Sequence, residues 1–246
     1  MTTSTLPENW FVFNEAEQLA QQLTKEILEL AKQAISKQGE FHFITAGGST
    51  PNRCYQLLSQ ANADWANWHI YMGDERVLPF EDNERNSQAL LQNWLTKVSI
   101  PEQNIHFMQV EKGAKSAAND YACLFDEVKA FDVCLLGMGE DGHTASLFPE
   151  HNEAQSVQTI CCEKACESDF ISAPIIIENN SPKAPLQRVS LNYVAFSKSR
   201  VLIKIITGAG KQQAVSEWLN QNQALPIALV SGQQTKVYID KAALGE

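Results

Sequence analysis

No apolar stretch in the 246 residues approaches the ~18 needed for a membrane span. The start, MTTSTLPENWFVFNEAEQ, lacks the basic region, apolar run and small-residue cleavage pattern of a secretory leader. A soluble, cytoplasmic protein is therefore expected. Basic residues are scarce, 19 against 29 acids, for a formal net charge of -10. The field around such a chain repels nucleic-acid phosphates and anionic lipid, which excludes both as partners and leaves a small anion dependent on a local basic site. Internal repeats, low-complexity tracts and linkers are missing too. With 44% hydrophobic residues the chain has enough apolar surface for one sizeable core. A single domain over 1–246 is expected, as a monomer or weak homo-oligomer.

Cysteine occurs six times, at 54, 123, 134, 161, 162 and 166, without the dense framework of a small secreted domain. Cys161, Cys162 and Cys166 cluster, but two are adjacent and no partner pair stands at zinc-finger spacing. Reduced thiols are the expectation, not a structural zinc. No two histidines stand four apart on a metal-binding pattern, and no metal or other cofactor is implied.

What the chain does contain alternates. From Asn14 the apolar positions Ala16, Leu19, Ala20, Leu23, Ile27, Leu30, Ala31 and Ala34 recur at helical spacing, with Asn14 and Glu17 placed as a capping box. Short runs rich in branched and aromatic residues read as strands: Phe41 to Ala46, Trp68 to Met72, Ile105 to Val110, Phe131 to Leu136 and Val201 to Thr207. Helices are expected over Asn52 to Ser59, Ser87 to Leu95, Ala114 to Lys129 and Lys211 to Asn220. Near-continuous apolar strands separated by helices indicate an α/β fold, a mainly parallel sheet with helices on both faces. The segment from Gln155 to Pro185 is the least readable.

The strand ends carry the chemistry. After Phe41 to Ala46 comes GGSTP: Gly47 and Gly48 permit close backbone approach, Ser49 and Thr50 supply hydroxyls and amides, and Pro51 suits a first helical turn. That is an anion cradle backed by a helix dipole, or else only a turn. After Trp68 to Met72 comes GDER, placing Asp74, Glu75 and Arg76 on a loop at a strand's carboxyl end, where such charges are either functional or paired at the surface. After Val201 to Thr207 comes GAGK, whose Lys211 opens a helix; a lysine there is unfavourable unless an anion is shared. In SPKAPLQRVSL two prolines stiffen the chain around Lys183, and Arg188 enters a strand with a guanidinium able to clamp phosphate bidentately.

The stretch LLGMGEDGHTASLFP, Leu135 to Pro149, sets a histidine just beyond a buried strand. His42, His69 and His106 fall within strands, where packing is their default role, and His151 lies beyond the motif. His143 is the candidate general base, since imidazole titrates near neutrality. Asp141, two residues earlier, either orients the ring or forms the turn before Gly142.

GGSTP, GDER followed by NERNS, LLGMGEDGHTASLFP, SPKAPLQRVSL and GAGK stand in the order found in 6-phosphogluconolactonases, and the chain resembles that family from about Phe11 to Tyr238. The glycine-rich turn is shared with related sugar-phosphate enzymes; the GEDGHTASLFP segment is the specific part. Two departures are visible, Ala184 where the family often has proline, and an irregular segment from Thr159 to Asn180. The resemblance implies a Rossmann-like fold, of the group that also holds the glucosamine-6-phosphate deaminases, and a sugar-phosphate lactone as the small-molecule partner. By similarity His143 is the base, Arg76 stabilises developing negative charge with Asp74 positioning it, and Gly47, Gly48, Ser49, Arg188 and Lys211 hold the 6-phosphate. Lys183 is assigned to neither end of the substrate. The runner-up is a deaminase-like isomerase. Deaminases typically read DEY in the second loop and carry an acid five positions after the loop histidine, where this chain has Arg76 and Phe148. A non-catalytic sugar-phosphate sensor would not need the GEDGH element.

Overall fold

A computed structural model describes residues 6–149, 157–162, 173–222 and 224–246. The order of elements is β1 (Trp10–Phe13), α1 (Ala16–Gln38), β2 (Phe41–Thr45), α2 (Ser49–Leu58), β3 (Trp68–Met72), β4 (Asp74–Arg76), α3 (Asn86–Asn93), β5 (Ile105–His106), α4 (Ala114–Glu127), β6 (Phe131–Gly137), β7 (Val157–Ile160), β8 (Ile175–Glu178), β9 (Arg188–Leu191), α5 (Tyr193–Ser197), β10 (Ser199–Ile206), α6 (Gln212–Leu219), α7 (Pro226–Leu229), β11 (Gln234–Asp240) and α8 (Lys241–Leu244). Seven strands form a sheet in the order β1-β11-β10-β6-β2-β3-β5, every pairing parallel. Four more form an antiparallel sheet, β4-β9-β8-β7.

The apolar strands are continuous because both faces of the parallel sheet are covered, and the side-chain period of two sends alternate residues to different cores. Phe41 and Phe43, Val133 and Leu135, and Val201, Ile203 and Ile205 pack with Leu19, Leu23 and Ile27 of α1. The intervening Ile44, Cys134, Leu136 and Leu202 join Tyr121 and Phe125 of α4 and Ile175, Ile176 and Ile177 of β8. One face is thus helical, as expected, while the second carries α4 together with the antiparallel sheet, which the sequence reading did not foresee.

Several local expectations are corrected. Asp74, Glu75 and Arg76 form strand β4, not a loop, because Asp74, Glu75 and Arg76 pair with Ser190, Val189 and Arg188. The expected strand to Val110 stops at His106, since the carbonyl of Met108 accepts from Arg85 Nη2 (3.0 Å) instead of entering a ladder. The Asn14/Glu17 capping box does not form: Glu15 is the N-cap, without a side-chain cap, and Glu17 binds Arg53 Nε and Nη2 at 2.7 Å each. Helix α2 begins three residues early, at Ser49, and α6 follows a 3₁₀ turn that ends at Lys211. Reduced thiols hold for the buried Cys54 and Cys134 but not throughout, for Cys123 of α4 and Cys162 after β7 are disulfide-bonded with Cα atoms 4.6 Å apart. Cys161 is disulfide-bonded as well. Packing α4 near the end of β7 brings together cysteines 39 residues apart, which spacing alone cannot reveal. Cys166 and His151 lie outside the described residues.

His42 and His69, second residues of β2 and β3, and His106, which closes the two-residue β5, stack across the three strands with ring centroids 4.9 and 5.8 Å apart. Burial, with His69 and His42 adding to it, pushes His106 from its ordinary 6.5 down to about 4. Between those values the unfolded chain holds a proton on this ring that the folded chain refuses, so stability falls as pH drops from about 6.5 to about 4. Replacing His106 by Phe is expected to flatten that limb of the melting-temperature profile, and an unchanged slope would remove His106 as its cause.

Candidate active site

Four adjacent strands, β10, β6, β2 and β3, deliver their carboxyl ends to one cavity of about 280 Å³. Strand order reverses between β6 and β2, and in open α/β sheets that switch point opens a crevice. Gly47, Gly48, Ser49, Thr50, Asp74, Arg76, His143, Lys183, Arg188 and Lys211 all line it. Of the residues singled out from sequence, only Asp141 stands behind the lining.

The cradle at β2 is built around Gly48, which adopts φ 116° and leaves α2 without a side-chain cap. The amides of Ser49 and Thr50, at the start of α2, therefore face an open helix N-terminus, the arrangement that binds anions. Tyr55, itself in α2, fixes the approach: its hydroxyl accepts from Ala46 N and donates to Ala46 O, both at 2.9 Å. Thr50 Oγ1 meets Thr207 Oγ1 at 2.6 Å and so ties the cradle to the end of β10. There Gly208, with φ 89°, donates its amide to both carboxylate oxygens of the buried Asp240 at 3.0 and 3.1 Å. That bond holds the turn carrying Lys211. Burial lowers the Lys211 pKa, with Lys183 pushing the same way and Glu140 and Asp141 opposing. A half-buried amine in that setting is stabilised by an arriving anion.

Asp74 and Arg76 share one face of β4 because they are two apart in a strand. Asp74 does not bond Arg76. Its Oδ1 accepts from Asn86 Nδ2 (3.0 Å) and its Oδ2 from Ser146 Oγ (2.8 Å), so the carboxylate is fixed by α3 and by the loop after β6. Arg76 donates from Nη1 to the carbonyl of Glu84, while its Nε is buried without a partner among the described residues. Arg188, opposite Arg76 in register, spends Nε on Pro185 O (3.2 Å) and Nη2 on Lys183 O (3.0 Å). Nε and one hydrogen of Nη2 are therefore occupied, and Nη1 with the second Nη2 hydrogen remains for a ligand. Burial lowers its pKa against the pull of Asp74.

His143 is oriented from behind. Asp141 Oδ1 accepts from the ring Nδ1 at 2.5 Å and from the backbone amide of His143 at 3.2 Å, which makes Asp141 both turn-former and ring-holder. Burial alone would raise the Asp141 pKa; the bonds and charge of His143 outweigh it and set it well below the usual carboxylate range. With Nδ1 committed, Nε2 is the nitrogen left for chemistry. Gly139 is required by this packing, since a Cβ there would lie 2.0 Å from His143 Nδ1. On its other side the ring meets Phe148 at 4.7 Å between centroids, and the guanidinium of Arg188 sits over Phe148 at 5.7 Å. Sequence reasoning missed Asn86, Ser146, Thr207 and Asp240, though Asn86 lay within the NERNS element.

An open helix N-terminus, a histidine and two arginines at a parallel-sheet switch point make the kind of site at which α/β enzymes bind small anionic molecules. Residues 14–239 match the family of glucosamine-6-phosphate isomerases/6-phosphogluconolactonase, and the chain belongs to that family. It is 30% identical to a chloroplastic 6-phosphogluconolactonase of Arabidopsis thaliana, over 94% of this chain and 73% of that protein. Among solved structures, a 6-phosphogluconolactonase from Shewanella baltica is 26% identical with a TM-score of 0.76, covering 98% of this chain and 99% of the other. A monomeric glucosamine-6-phosphate deaminase is similar at a TM-score of 0.78 with 17% identity, over 96% and 99% of the two chains. The fold is therefore common to both chemistries, and the side chains must separate them.

Proposed function

We propose that this protein hydrolyses 6-phospho-D-glucono-1,5-lactone to 6-phospho-D-gluconate, the lactone-opening step of the oxidative pentose phosphate pathway. The observation that carries the reading is His143, held through Nδ1 by Asp141, in one cavity with Arg76 and the Ser49/Thr50 cradle. His143 Nε2 takes a proton from water as the water oxygen bonds to C1. The Arg76 Nε–H, otherwise unpartnered, stabilises the carbonyl oxygen as it becomes an oxyanion. Collapse of the tetrahedral centre breaks the bond to the ring oxygen, which receives the proton from His143. The 6-phosphate sits against the Gly47–Thr50 cradle, Lys211 and Arg188 Nη1.

Phe148 argues against the deaminase reading. It is an almost fully buried aromatic wedged between His143 and Arg188, where a second acid would be needed to hold the histidine. The purified protein, given both substrates in parallel, should accelerate lactone loss above the enzyme-free rate and release no ammonia from glucosamine 6-phosphate. Ammonia at a comparable rate would overturn the assignment, and lactone loss at the spontaneous rate would leave only a sensor.

Lys211→Ala and Arg188→Ala are each expected to weaken substrate binding by roughly 1.5 to 3 kcal/mol, the range for a hydrogen bond to a charged group. Initial rates on phosphorylated and unphosphorylated gluconolactone check this, and equal wild-type activity on the two would sink the phosphate assignment.

The chain is further read as one cooperative domain, monomeric or weakly self-associating, in the cytoplasm. A single calorimetric transition and a sedimentation weight near 27.4 kDa would support the first two. The disulfide challenges the third, because such bonds persist in oxidising compartments. Alkylation in fresh lysate, with and without reduction, reports whether Cys123 and Cys162 are blocked there.

A further inference from the structure

We propose that Asn86 selects the substrate by accepting a hydrogen bond from one ring hydroxyl through Oδ1. The inference rests on the lactonase reading and adds to it a specificity contact that neither the motif nor the cradle explains.

Both hydrogens of the Asn86 amide are already used. Nδ2 donates to the carbonyl oxygen of Asp74 and to Asp74 Oδ1, each at 3.0 Å. Both partners are acceptors, so the amide cannot be flipped without setting oxygen against oxygen, and this fixes which end faces the cavity. The backbone amide of Asn86 donates to Glu75 Oε1 at 2.8 Å, which anchors the residue at the first turn of α3. What remains is Oδ1, an acceptor with no donor among the described residues, on a residue that lines the cavity. It occupies the space a side chain at position 47 would fill, since a Cβ on Gly47 would lie 2.2 Å from it. The oxygen therefore sits against Gly47 at the edge of the cradle, while the nitrogen of the same amide is held by Asp74.

An amide oxygen in that place discriminates by sign. It repels the phosphate and the developing oxyanion and needs a donor. The donors of the lactone are its hydroxyls at C2, C3 and C4, because the ring oxygen and carbonyl only accept. A rigid acceptor pre-positioned for one of them penalises any analogue lacking it, as an unpaired buried polar atom is costly.

The test compares kcat/KM for 6-phosphogluconolactone and its 2-, 3- and 4-deoxy analogues, with wild type and Asn86→Ala. Wild type should lose roughly tenfold or more on one analogue. Asn86→Ala should lose a similar factor on the parent lactone and nothing further on that analogue, a coupling that general loosening of the site would not produce. Equal sensitivity of variant and wild type to all three deletions would overturn the proposal; so would an even loss of kcat, which would place the attacking water at Oδ1. If the variant does not fold, the wild-type series decides: no loss on any analogue overturns the contact. Absence of hydrolysis of the parent would instead defeat the lactonase reading, and the same cycle would then be run on calorimetric binding of 6-phosphogluconate and its deoxy forms.

Discussion

His143→Ala is expected to lower kcat by about 10²- to 10⁴-fold, the span for loss of a general acid–base group, with 6-phosphogluconate still binding. The expectation follows from geometry and not from the motif alone. Nδ1 is committed to Asp141 at 2.5 Å, so one tautomer presents Nε2 as the acceptor for a water proton. The phosphate contacts reside on other strands, and deleting the imidazole leaves the cradle and Lys211 in place. Asp141→Ala should also lower kcat, by less, because it frees the ring without removing it. Single-turnover rates corrected for spontaneous opening, with calorimetric product binding, separate the two effects. Near-native turnover in His143→Ala would take the histidine out of the mechanism, and loss of product binding would show that it holds the ligand instead.

Five strands of the parallel sheet were readable, and the clearest, β2, β3, β6 and β10, are buried on both faces and end in glycine loops; β1 and β11 were missed, as each is partly exposed and runs into no glycine loop. The cavity was readable because β2, β3, β6 and β10 each end in a polar cluster. The antiparallel sheet was not, beyond the strand expected at Arg188, which is β9. Its strands are short, and β4 is only three residues, DER, whose charges suggest a surface loop. Nothing local marks Asp74–Arg76 as a strand; the pairing with Arg188–Ser190 is what creates it. For the same reason the partners of Asp74 were hidden, as Asn86 and Ser146 arrive from a helix and a loop 12 and 72 residues away. The capping box failed through competition: Arg53, from the neighbouring helix, offers Glu17 two charged donors, against the one backbone amide a capping box supplies.

Glu75 shows the largest gap between appearance and role, and Glu75→Ala is expected to cost about 3 to 5 kcal/mol, the range for removing one partner of a buried ion pair. In the sequence it is the middle letter of a charged loop. In the structure it is fully buried, and both its oxygens are saturated. Oε1 accepts from the amides of Arg76 and Asn86, both at 2.8 Å; Oε2 accepts from the amide of Ser87 at 2.9 Å and from Arg85 Nε at 3.2 Å. The carboxylate thus supplies the missing partners for the first amides of α3, where a negative charge also suits the helix dipole. Removing it strands the buried amides of Asn86 and Ser87 and the part-buried amide of Arg76, and leaves the Arg85 guanidinium with Glu111 Oε2 (2.8 Å) and Met108 O as its remaining hydrogen-bond partners. Glu75→Gln should be nearly as damaging, since its NH₂ would face donors. At about 2 to 4 °C per kcal/mol for a chain of this size, the melting temperature should fall by roughly 10 °C. Activity should fall too, because the two amides on Oε1 belong to Arg76 and Asn86, both in the cavity wall. A melting temperature within 2 °C of wild type, on the order of the shift for less than 1 kcal/mol, would show that the amides find other partners and that Glu75 is not what anchors α3 to the site.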